Sequence, residues 1–125
     1  MITLSKHISF QKITIENHLE LYHLMCEIYP PEYNHFWLDD SSWYINSQFS
    51  KENLQKELAE EKQYYYFILY KNEIIGIVRF LLDKNLETLP YKKGVKLHRL
   101  YLLSKTQGKG IGKIILHYLE AFTKN

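Results

Sequence analysis

Three glycines spaced two apart sit in the run Gln107-Gly108-Lys109-Gly110-Ile111-Gly112-Lys113 and limit what the last third of this chain can build. Before them lies an apolar stretch from Val95 to Leu103. After them Ile111, Ile114, Ile115, Tyr118, Leu119 and Phe122 recur every three or four residues, the spacing of an amphipathic helix. The order is strand, tight loop, helix, with the glycines at and just before the first helical turn. Each glycine in a helical turn costs about 1 kcal/mol against alanine, so three together serve something other than stability. Backbone there must come close to a bulky group that side chains would hold off. The first turn of a helix leaves N–H groups without partners and carries the positive end of the helix dipole. Lys109 and Lys113 add full charges beside it. Such a loop is an anion cradle of pyrophosphate type.

Two familiar phosphate loops do not fit. A Walker loop needs glycine, four residues, then Gly-Lys-Ser/Thr, but Gly112-Lys113 is followed by Ile114 and position 107 is glutamine. The dinucleotide fingerprint Gly-x-Gly-x-x-Gly is not met by glycines at 108, 110 and 112. The pattern that does fit is Gln/Arg-x-x-Gly-x-Gly/Ala, read as Gln107-Gly108-Lys109-Gly110-Ile111-Gly112 behind the strand His98-Arg99-Leu100-Tyr101-Leu102-Leu103. With its strand and its helix, this stretch resembles the acetyl-coenzyme A binding motif of the N-acetyltransferase (GNAT) family.

Composition sets the outer limits. A chain of 125 residues, 46% hydrophobic and 24% charged, is expected to form one globular domain. No run approaches the roughly 20 apolar residues that span a bilayer, and Met1 to Lys6 lacks the apolar core of a secretory signal. A cytoplasmic protein with no membrane partner is expected. The single cysteine, Cys26, leaves no internal disulfide or zinc cluster, and its neighbours Leu21, Leu24, Met25 and Ile28 predict a buried small hydrophobe without chemistry. Residues 1–62 hold five lysines against ten acids, whereas residues 63–125 hold eleven lysines and arginines against four. The basic half contains the glycine loop, as a phosphate-rich cofactor needs. A net charge of only +2 with no recognition motif argues against nucleic acid as a partner.

Along the chain, Ile8 to Ile15 reads as a strand and Asn17 caps a helix with the stripe Leu21, Leu24, Met25 and Ile28, ended by Pro30-Pro31. The stretch Pro31 to Phe49 reads as a long connection rich in rings, Tyr33, Phe36, Trp37, Trp43, Tyr44 and Phe49, with Asp39-Asp40 among them. It is either a satellite core or an acceptor-binding wall with acids at its rim. Ser50 caps a surface helix from Lys51 to Glu61 with Leu54 and Leu58 inward. Tyr64–Tyr70 and Ile74–Leu82 form a hairpin about Lys71-Asn72-Glu73, and Gly76 marks a bulge or a close backbone approach. Asp83 to Gly94 reads as a polar loop whose Lys92-Lys93 pair is solvated. On the strand Val95–Leu103, a period of two puts Lys96, His98, Leu100 and Leu102 on one face and Leu97, Arg99, Tyr101 and Leu103 on the other.

The resemblance implies an α/β (α+β) fold in which a mixed central sheet is flanked by helices. Residues 1–125 would form a single acetyltransferase domain that lacks the family's C-terminal strands and helix. It further implies that backbone groups at Leu100, Tyr101 and Leu102 pair with the pantetheine arm and polarise the acetyl carbonyl. Gln107, Gly108, Lys109, Gly110, Ile111, Gly112 and Lys113 would hold the pyrophosphate of acetyl-CoA. The implied reaction is direct acetyl transfer to a primary amine of a small molecule or peptide, without a metal. The glutamate that many members place on this strand as base corresponds to Lys96, a departure from the pattern. His98, two residues on and with an ordinary imidazole pKa of about 6.5, is the candidate base; a plain strand histidine or a substrate contact are its alternatives. The family's tyrosine acid would lie beyond Asn125. A non-catalytic acyl-CoA binding or interaction module is the alternative function. Without the missing wall, the 125 residues are expected to be an incompetent enzyme with an open strand edge, for which a homodimer is one available assembly.

Overall fold

The two strands about Lys71-Asn72 are the most β-prone part of the sequence, and the computed structural model, which describes residues 2–33, 41–83 and 94–123, builds its sheet around them. β1 (Ile2–Thr3), β2 (Ile8–Lys12), β3 (Gln63–Tyr70), β4 (Glu73–Asp83) and β5 (Gly94–Leu102) lie side by side in chain order. Every pairing among the described residues is antiparallel, where a mixed sheet was expected. Lys71 and Asn72 have φ of 51° and 68°, the left-handed pair that a two-residue hairpin turn needs to match strand twist.

Helices α1 (His18–Tyr33), α2 (Ser42–Gln48), α3 (Lys51–Leu58) and α4 (Ile111–Thr123) cover the sheet. Strand alternation divides it into two faces. Phe10, Tyr66, Phe80 and Tyr64 stack across one, where Tyr118 of α4 meets Phe10 edge-on at 5.4 Å. Tyr65, Arg79 and Arg99 lie across the other, facing α2 and α3. α4 buries Ile111, Ile115 and Leu119, each contributing about 1.5–3 kcal/mol, while Ile114 of the expected stripe stays 37% exposed. Ser50 caps α3 as expected, its hydroxyl accepting from the Asn53 N–H at 3.1 Å.

Four expectations are corrected. The first long strand ends at Lys12, and Ile15–Asn17 form a 3₁₀ turn that runs into α1, with Asn17 Oδ1 accepting the Thr14 N–H at 2.8 Å. α1 continues through Pro30 and Pro31 to Tyr33. Proline φ suits a helix, and the two missing N–H groups would have reached the carbonyls of Cys26 and Glu27, both exposed to water. Cys26 is therefore exposed, not buried, because it falls off the stripe Leu21, Met25 and Ile28. The aromatic connection contains a helix, α2, whose Ile45 is buried and whose Tyr44 stacks on Tyr29 at 4.4 Å. Tyr44 and Phe49 thus join the core, Trp43 is 60% exposed, and Phe36, Trp37 and Asp39-Asp40 lie outside the described residues, as do Lys92-Lys93.

Gly76 fulfils both readings made of it. The β3–β4 register slips beside it, with Ile68 opposite Gly76 and Leu69 opposite Ile74. A Cβ at Gly76 would stand 2.2 Å from the Tyr101 carbonyl oxygen. Gly76→Ala should therefore force β4 and β5 apart and cost about 1–3 kcal/mol or more, read as a lower urea midpoint. A midpoint equal to wild type would show that the contact is not close.

Candidate active site

β5 ends at Leu102, and Leu103 leads into a 3₁₀ turn over Ser104–Thr106 that carries the chain to the glycine loop. The Thr106 hydroxyl donates to the Leu103 carbonyl at 2.7 Å, and the Gln107 amide lies 3.5 Å from the Leu102 carbonyl. Gly108 and Gly110 have φ of 85° and 75°, a region that costs a side-chain-bearing residue about 1–2 kcal/mol. Their conformation alone requires glycine. Gly112 is different: its φ is not positive and a Cβ added there meets no protein atom within 4 Å. Nothing among the described residues explains a glycine in the first turn of α4.

The first helical bond of α4 runs from the Ile114 N–H to the Gly110 carbonyl at 3.2 Å. The N–H groups of Gly110, Ile111, Gly112 and Lys113 therefore have no acceptor within the helix. Such N–H groups at the positive end of a helix dipole are suited to an anion. Lys113 is exposed beside it, whereas the Lys109 ammonium lies back over the Tyr70 ring, 6.0 Å from its centroid. A groove of about 470 Å³ runs from Lys113 and Ile114 along α4, past His117 and Tyr118, to Leu4.

β5 is one of the two sheet edges among the described strands, β1 being the other. The Leu103 N–H bonds the Ile75 carbonyl at 2.8 Å, so in an antiparallel ladder Tyr101, opposite Ile77, also turns its backbone groups toward β4. Leu100 and Leu102 turn theirs outward. Of the three residues singled out for the pantetheine arm, these two offer backbone groups to the open side. Tyr101 contributes its side chain instead to a cluster with Tyr44, their hydroxyls 3.2 Å apart, and Tyr29.

His98 lies where the β4–β5 register shifts, since Arg79 faces Arg99 and Phe80 faces Leu97. The extra residue breaks the period of two. His98 consequently turns to the face of Arg79 and Glu57, not the face of Leu100 assigned to it by alternation. Its Nδ1 sits 2.9 Å from Arg79 Nη1 and 3.9 Å from Glu57 Oε2.

Behind it is a buried ion network that the sequence reading missed. Arg79, Arg99 and Glu57 are 1%, 4% and 6% exposed. Arg99 Nη1 donates to Glu57 Oε1 at 2.7 Å and to the Tyr65 hydroxyl at 3.3 Å, and its Nη2 to Gln48 Oε1 at 3.0 Å. Arg79 Nη2 donates to the Glu57 carbonyl at 3.0 Å and to Glu60 Oε1 at 3.1 Å. The Arg99 guanidinium also lies 4.9 Å from the centre of the Phe49 ring. Burial pushes the Tyr65 phenol well above its usual range, so it stays protonated among these charges. The network ties α2 and α3 to β4 and β5 next to His98. The available signal was a charged residue inside each of two apolar strand runs, which needs a partner to be buried.

Residues 19–125 match the Acetyltransferase (GNAT) family. The PaiA N-acetyltransferase of Thermoplasma acidophilum, solved in complex with coenzyme A, aligns over 94% of this chain and 72% of its own, at 24% identity and a TM-score of 0.71. An acetyltransferase from Thermus thermophilus aligns over 92% and 68%, at 16% identity and 0.69. A GNAT family acetyltransferase of Staphylococcus aureus aligns over 94% and 78%, at 18% identity and 0.64. The chain belongs to the GNAT acetyltransferase family, as its glycine loop implied. Among the described residues no helix is long and apolar enough to cross a membrane, and no group of three His, Cys, Asp or Glu could hold a metal ion.

Proposed function

We propose that this protein moves the acetyl group of acetyl-CoA to the primary amine of a small molecule or peptide. Gly112 carries the reading, because no atom of the described residues explains a glycine at this helix start, and a ligand against the backbone would. The amides of Gly110 to Lys113 would take the pyrophosphate, and the outward groups of Leu100 and Leu102 the pantetheine arm. In the transfer, the amine nitrogen attacks the thioester carbon, coenzyme A leaves as thiolate, and the ammonium proton is taken up by a base. His98 is the proposed base, on the condition that its Nδ1 is first released by Arg79. Release of free thiol from acetyl-CoA by the full chain, dependent on added amine, tests the proposal; hydrolysis that no amine accelerates would refute it.

A non-catalytic acyl-CoA binding module is the second reading, favoured by the Arg79 contact on His98 and by Lys96 at the family's glutamate position. It predicts acetyl-CoA binding with no thiol release for any amine. The acceptor proposed for the enzyme is a cationic amine, drawn by the acidic N-terminal half. Polyamines and lysine-like amines should then be acetylated faster than neutral or acidic ones. The reverse order in a substrate panel would contradict this.

A further inference from the structure

An arginine guanidinium has five N–H donors and no acceptor, so a 2.9 Å contact between Arg79 Nη1 and His98 Nδ1 can be a hydrogen bond only if Nδ1 carries no proton. The neutral imidazole then holds its proton on Nε2. We propose that Arg79 is a positioning residue that fixes His98 as the Nε2–H tautomer and must withdraw toward Glu57 and Glu60 before Nδ1 accepts a proton. Arg79 is placed for both states. Its Nη2 is already 3.1 Å from Glu60 Oε1, and its Nη1 is 3.8 Å from Glu57 Oε2. Once Arg79 moves, the same Glu57 oxygen, 3.9 Å from Nδ1, faces the new Nδ1–H. Proton uptake is balanced: an ammonium loses one proton and becomes a neutral amine, while the imidazole gains it at Nδ1, keeps the one on Nε2 and becomes a cation.

Among the described residues, charged groups gather about His98 from α3, from the turn after it, and from β4 and β5. Glu57 belongs to α3, Glu60 to the turn that follows it, Arg79 to β4, and Arg99, already held by Glu57 and Gln48, to β5 itself. Arg79 donates to Nδ1, and Glu57 approaches the same atom. The bulge in β5 produces the arrangement, because a strand with unbroken alternation would turn His98 to the opposite face, away from Arg79. Only the catalytic consequence rests on the acetyl-transfer reading; the tautomer does not.

Long-range proton–nitrogen NMR on the intact protein reads the tautomer directly, with the His98 signals assigned by their loss in His98→Gln. Above its titration midpoint, wild-type His98 should show a bare Nδ1 and a protonated Nε2. In Arg79→Met the ring should become a tautomer mixture and its midpoint should rise by about one pH unit, since a cation next to Nδ1 has been removed. Arg79→Lys, which keeps a cation and a donor, should return both toward wild type. In kinetics, Arg79→Met should move the acid limb of the kcat profile to higher pH while KM for acetyl-CoA stays unchanged. An Nδ1–H tautomer in the wild type overturns the proposal outright, a result that needs no variant to fold. An unchanged midpoint in folded Arg79→Met also overturns it. Absence of acetyl transfer, with the tautomer as stated, would remove the proposed function and leave this assignment standing.

Discussion

Valine at position 110 is expected to lower coenzyme A affinity at least about 100-fold in a protein that still folds. Gly110 has a φ of 75°, and a Cβ built on it meets no protein atom within 4 Å. The substitution therefore introduces only local backbone strain, about 1–2 kcal/mol or somewhat more for a branched side chain, within the 5–15 kcal/mol of a typical domain. Its methyl groups, however, stand where a pyrophosphate would approach. Loss of two charge-assisted N–H bonds, each contributing about 1.5–3 kcal/mol, accounts for the 100-fold figure. Gly112→Ala sharpens the contrast. With an ordinary φ and open space around it, alanine should raise stability by up to about 1 kcal/mol while weakening coenzyme A binding. Lys109→Ala should cost less than about tenfold, because an exposed ammonium adds only a screened charge. Calorimetric titration beside urea denaturation checks all three. Wild-type affinity in folded Gly110→Val would show that the loop is not the phosphate site.

Glu57→Ala should be the most destabilising single change in the network, costing about 3–5 kcal/mol. Its carboxylate is the hydrogen-bonded partner of Arg99 and approaches Arg79, and both arginines are almost wholly buried. Removing it leaves two guanidinium groups in the interior with less charge to face. Glu60 offers the control. Its side chain is 46% exposed, so Glu60→Ala should cost less than about 1 kcal/mol although it also bonds Arg79. Urea midpoints of the two variants give the comparison. Equal small losses would mean that water, and not Glu57, solvates the arginines.

Those two sites divide what the sequence disclosed from what it hid. The glycine loop was legible because strand, loop and helix are consecutive, so local spacing alone carries the geometry from Leu103 to Gly112. The hairpin about Lys71-Asn72, the Ser50 cap and the Gly76 approach were legible for the same reason. The network of Glu57, Arg79 and Arg99 joins residues up to 42 positions apart, and no local pattern records that they meet. The bulge at His98 was invisible because its neighbours Leu97 to Leu103 alternate acceptably in either register, and tertiary pairing with Arg79 selects one. α2 was read as a connection since Trp43 and Tyr44 favour strands or loops; stacking of Tyr44 on Tyr29 and burial of Ile45 outweigh that preference. Pro30 and Pro31 misled in a simpler way. They remove helix bonds only where water can replace them, so α1 keeps its course and Ile28 and Tyr29 keep their places in the core.

On the proposed function, backbone amides at the start of α4 hold the coenzyme's pyrophosphate. Backbone amide NMR during titration with coenzyme A, and with inorganic pyrophosphate alone, tests it most directly. The amides of Gly110, Ile111, Gly112 and Lys113 should shift most with either titrant, those of Leu100 and Leu102 with coenzyme A only. If the four loop amides stay unmoved while coenzyme A saturates the protein, the cofactor binds elsewhere and the account is contradicted.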